Sequence, residues 1–583
     1  MTAPVLPFVP ETAPFTSEQR AWLNGFLAGL FSHGAPAPLP AALPPQNTEP
    51  LLILFGSQTG TAEGLAKQLA TAASQRGFAP KVLPLNDHDQ ANLAAGGKAV
   101  IISSTWGDGE PPDNAVNFWN WLSADSAPRL EKLQFAVLGL GDKNYSEFCG
   151  ASKKFDARLE TLGAKRLVPR GECDVDYEAP AKSWLDGLWH HLGGAAVNGS
   201  AVNGHPVEAK TSFDKTNPFP ARLLKNVLLN QPGSSKEVRH YEISLAGSGL
   251  TYEAGDALGV VPVNCPDLVN ELLAALKCTG EESVKAGETA LPLREALTRH
   301  YEITRPTQEL IALVGERGFA NGLSPLLAPD RREDLKRWVF GRDVLDVIGL
   351  LPEPLPLADF LPLLRKLTPR LYSISSSPKA HPGEVHLTIS AVRYESHGRP
   401  RKGVASTFLA DRVGDAEFVK VFVQPAHGFR PPANTEAPMI MVGPGTGIAP
   451  FRAFLEERLA AGAKGKNWLF FGDQKRAADF LYAEQLTTWQ QAGFLTRLDL
   501  AFSRDQAEKV YVQTRMLENA GELWAWLDAG GHFYVCGDAS RMAKDVDEAL
   551  HQIIATASGK SAAEAKAYVE KMKTEKRYQR DVY

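Results

Sequence analysis

The residues able to do chemistry gather where apolar runs give way to glycines and hydroxyls. An apolar run at 51–55 leads into Gly56, Ser57, Gln58, Thr59, Gly60, Thr61 and Ala62. A strand that stops in such a loop and opens a helix presents hydroxyls and backbone N–H groups to a phosphate dianion. No Gly-Lys-Ser/Thr ending follows, which excludes a Walker-type loop. Far downstream, Arg370, Leu371, Tyr372 and Ser373 precede Ile374, Ser375 and Ser376. A second strand-like run at 439–442 opens into Gly443, Pro444, Gly445, Thr446 and Gly447. The first loop suits a monophosphate, and the later pair suits two dinucleotides. A chain holding both kinds of site can take a hydride at one end and release electrons at the other.

Two further loops belong with the first. Ser104, Thr105, Trp106, Gly107, Asp108, Gly109 and Glu110 follow one strand-like run, and Gly139, Gly141, Asp142, Tyr145, Phe148 and Cys149 follow another. Alternating strand–helix sheets bind ligands at the carboxyl ends of their strands, where both loops fall. Trp106 and Tyr145 would be exposed aromatics unless a flat ring lies between them, so the loops together favour a flavin. The carboxylates Asp108, Glu110, Asp113, Asp142, Glu147, Asp174 and Asp176 read either as a solvated rim or as a docking face for a basic partner. In the last part of the chain, Ser503, Arg504 and Lys509 lie beside Tyr511. These groups match a 2′-phosphate and an adenine face, which favours NADPH over NADH. The glycines at 443–447 are weak evidence alone, because the third comes earlier than in GxGxxG.

These loops need elements to hold them. Over 50–195, strand-like runs at 51–55, 81–85, 99–104, 134–139 and 166–169 alternate with helical ones. That order predicts a doubly wound parallel sheet of flavodoxin size. Residues 196–212, small, polar and aperiodic, predict a flexible linker with a reach of ~25 Å. Residues 213–432 carry β-like pieces at 385–390 and 419–424 around a helical insertion at about 264–367, and 433–583 alternates again. Residues 1–49 hold a helical piece at 16–31, with Thr16 and Gln19 as a capping box. Its apolar face (Trp22, Leu23, Phe26, Leu27, Leu30, Phe31) either packs on its own domain or docks a partner subunit or second copy.

Whole-chain properties narrow the classes. A chain of 583 residues exceeds a single core and predicts three or four domains. A net charge of −5 argues against general nucleic-acid binding. The five cysteines are scattered without a CxxC pair, which predicts a reducing compartment and no disulfide, zinc or iron–sulfur site. The sequence has neither a signal-peptide pattern nor the ~18 to 20 apolar residues of a membrane helix. A cytoplasmic location is expected, with no membrane or nucleic-acid partner.

The loops of the first half resemble those of the FMN domain of the diflavin reductases, and the resemblance runs to the C-terminus. It implies an α/β multidomain fold: a flavodoxin-like FMN domain, a β-barrel FAD domain with helical insertion, and a ferredoxin-reductase-type NADP domain. For FMN it implies Ser57, Gln58, Thr59, Gly60, Thr61, Ala62, Ser104, Thr105, Trp106, Gly107, Gly109, Leu138, Gly139, Gly141, Asp142, Tyr145, Phe148, Cys149 and Asp174. Trp106 and Tyr145 would flank the ring. For FAD it implies Arg370 on the pyrophosphate, with Leu371, Tyr372, Ser373, Tyr394 and the backbone cradle of Gly403, Val404, Ala405 and Ser406. For NADPH it implies Gly443, Thr446, Gly447, Arg452, Ser503, Arg504, Lys509, Tyr511, Gln513 and Asp545. The implied catalytic set is Ser373, Cys536 and Asp581, which orient the nicotinamide over FAD, and Tyr583, which covers the FAD ring until displaced.

Within the family, residues 15–26, 465–473 and 577–583 resemble the bacterial sulfite reductase flavoproteins. That branch implies electron flow from NADPH through FAD and FMN to a sirohaem iron–sulfur haemoprotein subunit, for assimilatory reduction of sulfite to sulfide. This chain has no haem or iron–sulfur ligand pattern, so sulfite would be reduced on the other polypeptide. Two rival readings are an NADPH reductase for a soluble cytochrome or other haem protein, and a flavin-binding regulatory module without turnover.

Overall fold

The computed structural model describes residues 49–57, 60–106, 109–143, 147–193, 213–287, 289–317, 322–414, 417–426 and 428–583. The helical piece at 16–31 and the linker at 196–212 lie outside these residues. The chain divides into two compact units, Met1–Ser200 and Ala201–Tyr583. Among the described residues no helix is long and apolar enough to cross a membrane.

The first unit is built on parallel strands β1 (Glu49–Gly56), β2 (Phe78–Pro84), β3 (Gly97–Ser104), β4 (Leu133–Leu140), β5 (Lys165–Arg166) and β6 (Gly171–Cys173), in the order β2-β1-β3-β4-β5. β6 also pairs with β4. Apolar residues alternate to both faces of the central strands, so each face packs its own helical layer and core. The doubly wound expectation holds, with one correction. The run expected as a fifth strand at 166–169 is two short pieces, and residues 171–173, expected as loop, form one of them. Pro169 has no N–H to give the ladder. Buried Asp156 ties the break by accepting from Arg166 Nε at 2.9 Å and Arg170 Nη1 at 2.7 Å.

The second unit begins with six antiparallel strands: β7 (Phe219–Leu228), β8 (Val238–Ser244), β9 (Ala257–Val261), then β12 (Arg370–Ser373), β13 (Glu384–Ser390) and β16 (Phe418–Gln424). β10 (Ser283–Ala286), β11 (Thr289–Pro292), β14 (Arg393–Ser396) and β15 (Arg399–Lys402) form two hairpins outside this sheet. The order is β12-β9-β16-β7-β8-β13, and a bridge between Ile374 and Leu387 joins its two ends, closing a barrel around one core. The insertion is helical as expected and encloses a core of its own. The β10–β11 hairpin inside it was not anticipated. A parallel sheet follows, β17 (Met439–Val442), β18 (Asn467–Asp473), β19 (Arg497–Phe502), β20 (His532–Gly537) and β21 (Tyr578–Val582), in the order β19-β18-β17-β20-β21. β21 is the edge strand, paired in parallel with β20, and brings Asp581 and Tyr583 to the end of that strand.

Candidate cofactor sites

In the first unit the carboxyl ends of β1, β3 and β4 meet. Gly60, with φ 88°, caps the helix Thr61–Ser74, a left-handed turn suited to glycine. Ser57 Oγ accepts from Ala62 N at 3.2 Å, and Asn114 Oδ1 accepts from Ser57 N at 2.8 Å. Trp106 and Glu110 exchange two backbone bonds of 2.8 Å, closing a tight hairpin. Backbones approach closely here: a Cβ on Gly109 would lie 2.6 Å from Glu147 Cβ, and one on Gly141 2.8 Å from Cys149 N. Asp174 Oδ1 accepts from Lys143 N and Val175 N at 3.0 and 2.9 Å, so its carboxylate ties two loops together. Thr105 Oγ1, at the carboxyl end of β3, is buried without a hydrogen-bond partner, which leaves a donor and an acceptor unsatisfied there. A phosphorylated planar ligand fits such a site.

Some expected FMN residues stand elsewhere. Leu138 is fully buried in mid-strand, and Cys149 is fully buried with its thiol pushed up to about 12 by burial. Cys149 Sγ donates to Cys173 O at 3.7 Å. Both side chains are buried in the core of the first unit. Ala62 is also buried and contributes its backbone N–H. Gln58, Thr59, Gly107 and Tyr145 lie outside the described residues.

In the second unit, β12 carries the first residues expected to hold FAD. Tyr372 packs half-buried against the barrel, its phenol pushed up to about 12 by burial, and Leu371 points outward. Gly403 caps the helix Val404–Asp411, and Ser406 Oγ turns inward to accept from Val392 N at 3.1 Å. First-turn N–H groups there form an anion-binding end. Tyr394 is exposed on the β14–β15 hairpin.

The barrel and the parallel sheet meet at one cluster. Asp581 Oδ2 accepts from Ser373 Oγ at 2.6 Å and from Cys536 Sγ at 3.9 Å. β20 and β21 put Cys536 and Asp581 in direct register. Burial pushes the Cys536 thiol well above its usual range, and the Asp581 charge adds to that, so it stays a thiol. Burial also holds the Asp581 carboxyl above the ordinary range, against the pull of its two hydrogen bonds. Tyr583 is pinned by its N–H to Gly537 O at 3.0 Å and by Ala539 N to its own O at 3.1 Å. Its hydroxyl lies 2.9 Å from Thr446 Oγ1, and the residue is 63% exposed.

On the nucleotide side, Gly443 and Gly447 are places where only hydrogen fits: a Cβ would lie 2.5 Å from Gly447 O and 2.2 Å from Cys536 O, respectively. Ser503 N and Arg504 N are fixed to Asp473 O and Gln474 O at 2.9 and 2.8 Å. The Arg504, Lys509 and Tyr511 side chains are exposed beside them. Gln513 Nε2 donates to Asp545 Oδ2 at 3.0 Å, so these two expected ligands hold each other. Arg452, expected on NADPH, has partners of its own. Its guanidinium is buried, bonded to Ser375 O at 2.6 Å, Gln485 at 2.8 Å and Glu456 at 2.7 Å. Neighbouring His240 and His386 are held neutral by burial, down to about 4 and about 2. Arg452 therefore fastens sheet to barrel.

A flavodoxin family model matches residues 53–184, an FAD binding domain model residues 211–408, and an oxidoreductase NAD-binding domain model residues 441–548. The chain is 46% identical over 583 residues to the sulfite reductase (NADPH) flavoprotein alpha-component of Bacillus subtilis (strain 168), covering 97% of this chain and 96% of that protein. The chain belongs to the sulfite reductase flavoprotein alpha-component family. The Vibrio cholerae serotype O1 (El Tor Inaba N16961) member is 44% identical, covering 97% and 93%. The Neisseria meningitidis serogroup C member is 42% identical, covering 100% and 98%.

For this family member, sequence reasoning missed residues that only the fold brings in. Asn114 anchors the phosphate-type loop from 57 positions away, its one signal being the Pro111-Pro112 turn before it. Lys236, from the barrel's β7–β8 connection, pairs with Asp473 at 2.5 Å. The two lie 3.9 and 3.8 Å from where a Gly445 Cβ would stand. Asp473 Oδ2 is buried and unpartnered, an acid closing strand β18 after the apolar run Trp468–Phe471. Nothing in sequence marks Lys236.

Proposed function

We propose that this chain carries electrons from NADPH through FAD and FMN to a sirohaem iron–sulfur haemoprotein, which reduces sulfite to sulfide. The observation that carries the reading is the cluster of Ser373, Cys536, Asp581 and Tyr583 where barrel and nucleotide sheet meet, on a chain that also bears a separate phosphate-type cradle. When bound, FAD accepts hydride from NADPH and FMN passes single electrons onward. The chain's own groups position and shield. In this reading Ser503, Arg504 and Lys509 hold the 2′-phosphate, and Tyr511 faces the adenine. The backbone at Gly443, Thr446 and Gly447, with Lys236, holds the pyrophosphate. Arg370, Tyr372 and the Gly403–Ser406 backbone hold FAD, with Leu371 and Tyr394 lining it.

Asp581 fixes the Ser373 hydroxyl and the Cys536 thiol in one orientation, and together they would orient a bound nicotinamide. Tyr583 would cover a bound flavin, give way to the nicotinamide, and keep water off the flavin between turnovers. Ser57, Gly60, Thr61, Ser104, Thr105, Trp106, Gly109, Gly139, Gly141, Asp142, Phe148 and Asp174 form the FMN rim; Gln58, Thr59, Gly107 and Tyr145, outside the described residues, are assigned to FMN by sequence alone. We assign the domains as 50–195, 213–432 and 433–583, with 196–212 as the tether, and the location as cytoplasmic. The segment 1–49 is assigned to docking of the haemoprotein or a second copy. Flavin bleaching on anaerobic NADPH addition, followed by sulfide formation once the haemoprotein and sulfite are added, tests the reading. Pull-down of the haemoprotein with and without residues 1–49 tests the docking role.

A further inference from the structure

We propose that Glu302 is a positioning residue for the FAD pyrophosphate, through which the helical insertion sets the angle of Arg370. The inference rests on the reading of Arg370 as a pyrophosphate ligand. Residues 300–302 and 365–367 run antiparallel: Leu367 N donates to His300 O at 2.7 Å, Glu302 N donates to Arg365 O at 2.9 Å, and Tyr301 bridges Lys366. β12 starts three residues later with Arg370, so this pair delivers Glu302 to the root of the flavin strand.

The carboxylate is itself held firmly. Glu302 is buried, and its Oε1 accepts from the Thr304 N–H at 2.9 Å and from the Thr304 hydroxyl. Its Oε2 accepts from Arg370 Nη2 at 2.7 Å. On the other arm, Arg370 Nη1 donates to Thr368 O at 2.6 Å and to Thr368 Oγ1 at 2.9 Å. A guanidinium has five N–H donors. These bonds use three, which leaves by count the Nε–H and one Nη2–H for a ligand. Anchoring on both arms fixes the plane of the fork, and a planar fork discriminates by angle. The guanidinium side chain is 28% exposed against 10% for the carboxylate, so the acid stands behind and the cation in front.

Charge alone predicts the opposite effect. Glu302 adds a negative charge near a doubly negative pyrophosphate, so its removal should tighten FAD binding if it acts only as a competing anion. Positioning predicts that removal weakens binding.

The experiment is a double-mutant cycle in the full chain, with Glu302→Ala, Glu302→Gln, Arg370→Ala and the Glu302→Ala/Arg370→Ala double. FAD is titrated by fluorescence quenching into protein stripped of FAD alone, and far-UV circular dichroism with the urea-unfolding midpoint reports that the second unit is folded. We expect Glu302→Ala to weaken FAD about 10- to 100-fold, the range seen when an outer partner of a ligand-holding side chain is removed. Glu302→Gln, which keeps an acceptor oxygen, should recover much of that loss. The double variant should bind no worse than Arg370→Ala. Tighter or unchanged FAD binding in Glu302→Ala, with Arg370→Ala weakened, overturns the proposal alone. So does a Glu302→Ala loss that persists in full in the Arg370→Ala background, which marks a general packing role. Unchanged binding in Arg370→Ala overturns the reading of Arg370 as a ligand, and the proposal with it.

Discussion

Gly447→Ala probes the junction at its tightest point. A Cβ there would lie 2.2 Å from Cys536 O and 2.8 Å from Cys536 C, both backbone atoms of β20. No side-chain rotation relieves that overlap. Real Cβ contacts essentially stop at 3.0 Å, so the gap must open from 2.2 Å to at least that distance. Overpacking of this kind costs about 1–3 kcal/mol of stability. It also pushes apart the two elements the nicotinamide must meet, the start of the helix Ile448–Ala460 and the Cys536 end of β20. A misplacement near 1 Å can cost about 100-fold in rate. The assay is anaerobic stopped-flow bleaching of the flavin against rising NADPH. The ratio of limiting rate to NADPH Kd should fall by about 10- to 100-fold, with FAD and FMN content unchanged. Wild-type reduction kinetics in folded, flavin-replete Gly447→Ala protein would refute the reasoning.

Further perturbations separate positioning from packing. Tyr583→Ala removes the exposed ring that Thr446 steadies, and should raise use of NADH relative to NADPH and slow NADP⁺ release; an unchanged kcat/KM ratio for the two cofactors counts against a ring over the flavin. Asp581→Asn should slow hydride transfer yet leave the fold as stable or more stable at neutral pH. Burial raises the Asp581 pKa in the folded state, so its charge is a cost that is absent below the unfolded pKa of about 3.9 and grows as pH rises toward the folded value. The Tm advantage of Asp581→Asn over wild type should therefore widen from acid to neutral pH, and a Tm gap that narrows over that range would contradict it. Gly187→Ala lies in the exposed interior of the helix Glu178–Leu192 with nothing within 4 Å of the new methyl. It should stabilise the first unit by about 0.5–1 kcal/mol, read by urea denaturation; a loss of stability would contradict the helix there.

The strand ends were legible because each apolar run stops at a glycine or hydroxyl, and three such stops converge in the first unit. What was not legible depends on contacts distant in sequence. Arg452 sits five residues past Gly447 and reads as a phosphate ligand, but its helix carries it to the buried seam with Ser375, Gln485 and Glu456. Cys149 lies inside a flavin loop by sequence, yet its left-handed backbone turns the thiol beneath that loop. The strand at 171–173 was hidden because Pro169 interrupts the run and three residues are too few for a period. Lys236 reaches Asp473 across 237 positions, and no local pattern encodes that reach. Tyr583 was the opposite case. A terminus is ordinarily frayed, but the parallel pairing of β21 with β20 and two backbone bonds hold this one.

The central claim is an ordered path in which electrons enter at the Ser373–Cys536–Asp581 junction and leave through the first unit. Protein stripped of FMN alone, replete in FAD, tests it most directly when mixed anaerobically with NADPH and then with the sirohaem haemoprotein and sulfite. The account predicts FAD bleaching at the wild-type rate, no sulfide, and recovery of sulfide when FMN is restored. Sulfide formed without FMN, or FAD that no longer bleaches, would contradict the path.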